Sequence, residues 1–196
     1  LAQMQAEITA WRRDLHENPE LMYDVHRTAA TVADRLREFG CDEVVTGIGR
    51  TGVVGVIRGR TDSRGLAVGL RADMDALPIA ERTGAAHAST HPGRMHACGH
   101  DGHTAMLLAA AEHLARTKAF DGIVHFIFQP AEEGEAGAKA MMDDGLFTDF
   151  PMEAVYGLHN WPGMPIGQIG MRVGAQMAAM DVFEVKIFGQ GGHAAL

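Results

Sequence analysis

The stretch "GLAVGLRADMD" (65–75) is an almost continuous apolar run that closes on two acids. A strand with one wet face would alternate apolar and polar residues. A run apolar on both faces fits a strand covered on both sides, in a parallel or mixed sheet. "GIVHFIFQ" (122–129) repeats the pattern and is followed at once by "PAEEG". Between them "TAMLLAAAEHLA" (104–115), rich in Ala and Leu, reads as a helix. Alternating strands and helices predict a layered α/β fold, in which ligands bind beyond the carboxyl ends of the strands. The polar clusters fall there: Asp73 and Asp75 end one strand, Glu132 and Glu133 follow another, His159 ends a third, and Cys98 and His100 occupy the loop before a helix.

The remaining elements fit this frame. Met4, Ile8, Trp11 and Leu15 share a helical face that Asn18-Pro19 terminates, and a second helix runs from about Val25 to Phe39 with Gly40 as its stop. "VVGVIRG" (53–59), "EAVYGLHN" (153–160) and "GQIGMRV" (167–173) read as strands, and "GAKAMMDDG" (137–145) as a helix. From Met180 on, Val182, Glu184 and Lys186 alternate with Phe183, Val185 and Ile187, the pattern of a half-exposed strand. This change of pattern near Ala178 places a domain boundary between residues 1–178 and 179–196.

Composition narrows the function. The formal charge is −8 and the basic residues form no run or stripe, which argues against nucleic-acid binding. No apolar stretch approaches the ~20 residues that cross a bilayer, and the N-terminus reads as an amphipathic helix rather than a signal peptide. Cys41 and Cys98 make no disulfide framework, so a reducing cytoplasm is expected. "GIGRTG" (47–52) matches the dinucleotide fingerprint G-x-G-x-x-G, but a strand follows it instead of a helix, so a hairpin turn is expected.

"MHACGHDGH" (95–103) gathers three histidines, a cysteine and an aspartate. A thiolate and an imidazole two residues apart can reach one cation. In "QPAEEG" (129–134), adjacent carboxylates after a buried strand are costly without a cation nearby, and such a pair can divide metal ligation from proton transfer. In "RADMDALP" (71–78) the two aspartates point the same way and could bind a metal, orient a ligating histidine, or accept backbone N–H bonds. His16, His26, His87, His91, His113 and His125 read as surface or packing histidines, while His96 and His103 border the cluster.

Together with "RRDLHENPEL" (12–21), "GLHNWPGMPIG" (157–167) and "GQGGHAA" (189–195), these stretches recur in the order found in one family. The chain resembles the M20 metallopeptidases, in particular the amidohydrolase branch that includes hippurate hydrolases, auxin-conjugate hydrolases and N-acyl-amino-acid amidohydrolases. The resemblance implies a three-layer, zinc-peptidase-like α/β catalytic domain with a mixed central sheet, followed by the start of a smaller α+β lid and dimerisation domain. It implies two divalent ions (Zn, Mn, Co or Ni), with Cys98, His100, Glu133 and His159 as ligands. Glu132 would be the general acid/base and Asp75 the catalytic aspartate that orients a ligand. The wider family has a histidine where this chain has Asp73, and a bridging aspartate in place of the cysteine. His193 would reach substrate in a neighbouring subunit, which makes a homodimer or higher homo-oligomer the expected assembly. A further histidine ligand of the family lies beyond Leu196, so a complete site is not expected within this segment.

The expected reaction is hydrolysis of the amide bond of an N-acyl amino acid by a water activated between two metals. The rivals are a silent binding or assembly module of the same fold and a thiol hydrolase with Cys98 as nucleophile and His100 as base.

Overall fold

A computed structural model describes residues 4–179, 181–193 and 195. They form two units, one ending at Asn160 and one beginning at Trp161. The first carries all the regular structure: α1 (Gln5–Glu17), α2 (His26–Phe39), β1 (Glu43–Ile48), β2 (Gly52–Arg58), β3 (Ala67–Asp73), α3 (His100–Thr117), β4 (Ile123–Gln129), α4 (Gly137–Asp143), α5 (Leu146–Asp149) and β5 (Ala154–Gly157).

The sheet has the order β1-β2-β4-β3-β5. β1, β2 and β4 pair antiparallel, whereas β4, β3 and β5 run parallel, with Asp73 opposite Gln129 and Arg71 opposite Gly157. The sheet is therefore mixed. Strand side chains alternate between two cores. Val53 and Ile57 of β2, with Val124, Phe126 and Phe128 of β4, meet Trp11, Val32, Leu36 and Leu108 from α1, α2 and α3. Val54, Val56 and Ile127 face the other way and meet Met141, Leu146 and Phe150 beside α4 and α5. Two helical layers sandwich the sheet, which explains why β2 and β4 read as unbroken apolar runs. "GIGRTG" is the β1–β2 hairpin, with Gly49 and Arg50 at φ +60° and +79°. Gly40 ends α2 at φ +81°.

Two expectations are corrected. His100 is the first residue of α3 rather than part of a preceding loop, because helical pairing begins with Gly99 as N-cap at φ +89°. The strands expected at 167–173 and 180–196 are absent among the described residues, which form turns and extended chain in the second unit. Met180, Ala194 and Leu196 lie outside the described residues. A strand requires a partner for its N–H and C=O groups, and alternation in sequence supplies none within this unit. No helix among the described residues is long and apolar enough to cross a membrane.

His125, in the middle of β4, faces Phe150 with ring centroids 5.6 Å apart. Burial holds its pKa below the ordinary imidazole value, with Arg58 acting in the same direction against the Pro151 backbone and Glu43. The unfolded chain therefore binds this proton more readily. The contribution to stability is present above the unfolded pKa of about 6.5 and fades as pH falls below it. In denaturant melts from pH 8 to 5, His125→Leu should show a shallower loss of stability than the parent. Equal slopes would remove His125 as a source of acid sensitivity.

Candidate metal centre

The parallel register brings the carboxyl ends of β3, β4 and β5 to one rim, and the first turn of α3 abuts it. Asp75 follows β3, Glu132 and Glu133 follow β4, His159 follows β5, and Cys98 and His100 flank Gly99 at the start of α3.

Asp75 is fully buried, and its carboxylate serves the loop after β4. One oxygen accepts the Glu132 N–H at 3.0 Å and the other the Glu133 N–H at 3.1 Å. That loop is bracketed by Ala131 and Ala136, both left-handed at φ +50° and +54°, a region that residues with a Cβ adopt only when their surroundings fix it. The Ala131 N–H donates to Met22 O, and the Gly137 N–H returns to Ala131 O, each at 3.0 Å. A Cβ at Gly137 would lie 1.7 Å from the Pro130 carbonyl oxygen, so this close return of the chain needs glycine.

His100 Nδ1 lies 2.7 Å from the Asp75 carbonyl oxygen. Its Nδ1–H donates there, which leaves the Nε2 lone pair free. That Nε2 is buried without a hydrogen-bond partner, 3.8 Å from Glu132 Oε2 and 3.7 Å from Glu133 Oε1, which is also buried without a partner. The main chain of Asp75 thus orients the histidine, while its carboxylate stands 3.6 Å from Nδ1. Burial would lower the His100 pKa, but Asp75, Asp73 and Glu133 hold it above the ordinary value.

Cys98 Sγ lies 3.4 Å from His159 Nε2. Burial, then Glu133, Glu132 and Asp73, push the thiol up to about 12. Burial also raises the Glu133 carboxyl, against the pull of His100 and Cys98. Glu132 is more open, its side chain 42% exposed against 16% for Glu133.

Three donor groups arise in this cluster: Cys98, His100 and His159; His100, Glu132 and Glu133; and Asp73, His100 and His103. Within each, the donor atoms lie within 4.8 Å of one another. Asp73 differs from the others, because Arg71 Nη1 contacts its Oδ2 and His103 Nδ1 its Oδ1, both at 2.7 Å. Burial would raise the Asp73 pKa, but His103, Arg71 and His100 hold it down at about 2. Its charge is already balanced by protein cations and donors. The remaining sulfur, imidazole and carboxylate donors suit borderline divalent ions such as zinc, cobalt or nickel. The unpartnered His100 Nε2 and Glu133 Oε1 are the atoms such an ion would satisfy.

The chain therefore brings together Cys98, His100, Glu132, Glu133 and His159 over Asp75, six of the seven residues singled out from sequence. His193 lies in the second unit, exposed, with its Nδ1 accepting the Ala195 N–H at 3.2 Å. A buried network at the first turn of α3 has no counterpart in the sequence reading. There His16 Nδ1 and Arg12 Nε both meet Asp101 Oδ2 at 2.7 Å, and His16 Nε2 meets Glu81 at 3.2 Å. His16 reads from sequence as a surface or packing histidine, since no local pattern points to partners 65 and 85 residues away.

This arrangement, beyond the carboxyl ends of parallel strands in a mixed α/β sheet, is a candidate metal centre at the place where such folds bind ligands. The chain belongs to peptidase family M20/M25/M40, whose profile matches residues 69–195. It is 48% identical over 191 residues to a hippurate hydrolase of Campylobacter jejuni, covering 97% of this chain and 49% of that protein. It is 45% identical over 197 residues to an N-acetyl-L-cysteine deacetylase of Bacillus subtilis, covering 100% of this chain and 46% of that protein. Among solved structures, a Bacillus subtilis dinuclear metal-binding peptidase of the M20 family superposes with a TM-score of 0.79 at 40% identity, covering 85% of this chain and 46% of that one. The chain spans about half the length of the curated relatives it matches.

Proposed function

We propose that the protein hydrolyses the amide bond of N-acyl amino acids, with Cys98, His100, Glu133 and His159 holding two divalent ions. The observation that carries this reading is the convergence of thiol, imidazole and carboxylate donors around two buried atoms, His100 Nε2 and Glu133 Oε1, that have no protein partner. When bound, the ions would acidify a water and polarise the scissile carbonyl.

The chain's own residues supply the rest. Glu132, the more open of the two glutamates, accepts a proton from the attacking water. The water oxygen bonds to the carbonyl carbon, the C–N bond breaks, and Glu132 returns the proton to the departing amine nitrogen. Asp75 fixes the loop so that Glu133 faces inward and Glu132 faces the mouth. His193 is assigned to substrate in a neighbouring subunit of a homo-oligomer. With Cys41 and Cys98 both free thiols, a reducing, cytoplasmic location is proposed.

The relatives named hippurate hydrolase and N-acetyl-L-cysteine deacetylase support small acylated amino acids as the substrate class. The thiol-hydrolase alternative requires an activated thiolate. Here Cys98 Sγ lies against His159 Nε2 rather than the expected base His100, and the alternative leaves Glu132 and Glu133 without a use.

The test is to strip the protein with a chelator and assay N-acetyl, N-benzoyl and indole-acyl amino acids with and without added Zn, Mn, Co or Ni. Turnover should appear only with metal. Activity that survives thorough stripping overturns the metal mechanism, and metal binding without turnover on any of these amides favours a silent module.

A further inference from the structure

Four hydrogen bonds run in series behind His159. The Arg71 guanidinium donates to Asp73 Oδ2 at 2.7 Å, and Asp73 Oδ1 lies 2.7 Å from His103 Nδ1. The Asn160 backbone N–H donates to His103 Nε2 at 3.1 Å, and His159 Nδ1 lies 2.6 Å from the Asn160 carbonyl oxygen. Hydrogens can be placed at two points of the series. A nitrogen facing a carboxylate carries hydrogen, so His103 donates through Nδ1, while its Nε2 meets both the Asn160 backbone N–H and the Asn160 side-chain oxygen. A nitrogen facing a carbonyl also carries hydrogen, so His159 is the Nδ1–H form. That leaves its Nε2 as the lone pair directed at Cys98 Sγ.

The series is also a mechanical support. The His103 ring meets His159 edge-on, with centroids 4.6 Å apart and planes at 66°. Asp73 is gripped a second time by α3, through the Thr104 hydroxyl donating to its carbonyl oxygen at 2.9 Å. The Asn160 side chain packs over Gly99, where a Cβ would lie 2.5 Å from it. The end of β3, the first turn of α3 and the segment after β5 are thereby tied to one another.

We propose that Asp73 and His103 are positioning residues which hold the Asn160 backbone in place, so that its carbonyl keeps the His159 ring oriented with Nε2 presented as a metal ligand. This rests on the reading of His159 as a ligand given above. It assigns Asp73 a use in the position where the wider family has a histidine. Direct partners of a metal-ligating histidine are worth about 10- to 100-fold in metal affinity, and His103 and Asp73 act on that partner, the Asn160 carbonyl, from further along the series.

The test uses Co²⁺ alone as probe, read by absorption and by titration calorimetry, with the histidine tautomers of the metal-free protein read by ¹⁵N NMR. Asp73→Asn is nearly isosteric, but its amide can donate to His103 Nδ1 and so reverse that ring's tautomer. His103→Gln removes the link outright. Each should weaken Co²⁺ binding by up to about 100-fold and shift the Co²⁺ spectrum toward that of His159→Ala. Each should also loosen the His159 Nδ1–H bond to the Asn160 carbonyl, read as a changed His159 Nδ1 chemical shift in the metal-free protein. Because both act through one link, the double variant should bind no more weakly than the weaker single variant. Asp73→Asn alone carries the test if His103→Gln does not fold. Parent-like affinity and spectrum in the variants, or losses that multiply in the double variant, overturn the inference. A parent protein that takes up no Co²⁺ overturns the metal reading instead.

Discussion

A Glu132→Gln variant will bind divalent metal as the parent does and turn substrate over about 10²- to 10⁴-fold more slowly, the usual contribution of a positioned general acid/base. The expectation follows from the different surroundings of two neighbouring glutamates. Glu133 is the more buried, carries an unpartnered oxygen beside His100 Nε2, and has its carboxyl raised by burial. Glu132 shares the same loop but opens toward solvent, where water and substrate arrive. Glutamine keeps the shape and the backbone N–H held by Asp75 and removes only the ability to take a proton. Steady-state rates beside a metal titration separate the two roles. A variant that retains full rate removes Glu132 from proton transfer, and one that loses metal makes it a ligand.

Asp75→Asn is expected to be the most damaging substitution that leaves the metal donors themselves unchanged. Both carboxylate oxygens of Asp75 accept backbone N–H groups, from Glu132 and from Glu133, in a fully buried position. An amide keeps only one acceptor and turns an NH₂ group toward the other donor. A buried donor left unpaired costs about 1–3 kcal/mol. The loop must shift to relieve it, and a displacement of about 1 Å can lower a rate 10²-fold. Turnover should therefore fall at least about 10²-fold, with a lower melting temperature in the metal-free protein. Asp75→Glu should fail to rescue either, since its extra methylene has no room. If Asp75→Asn keeps both rate and melting temperature, the loop is held by something else.

Much of this was legible in sequence, and the reasons lie in particular residues. β3 and β4 could be read because burial on both faces leaves an unbroken apolar run, and the carboxylates that close those runs marked the rim. β1 was missed: Glu43–Ile48 is an edge strand, largely open, and its pattern "EVVTGI" is too short and mixed to stand out. The start of α3 does not stand out because Gly99, His100 and Asp101 are weak helix formers, held there by tertiary bonds of His100 to Asp75 and of Asp101 to His16. The use of Asp73 was not legible, since three roles were open to it and only Arg71 and His103 decide among them. The His16–Asp101–Glu81 network joins residues far apart in the chain, and no local pattern announces such a pairing.

The parallel pairing of β3 with β4 and β5 has a kinetic consequence. Cys98, His100, Glu133 and His159 approach one another only after segments separated by tens of residues have docked, and contacts of that kind form slowly. A cation that recognises this cluster would then act on the native state and leave the unfolded chain almost untouched, adding about 2.7 kcal/mol at a hundred times its dissociation constant. Its main signature in a chevron would be a slower unfolding limb, with the refolding limb scarcely moved.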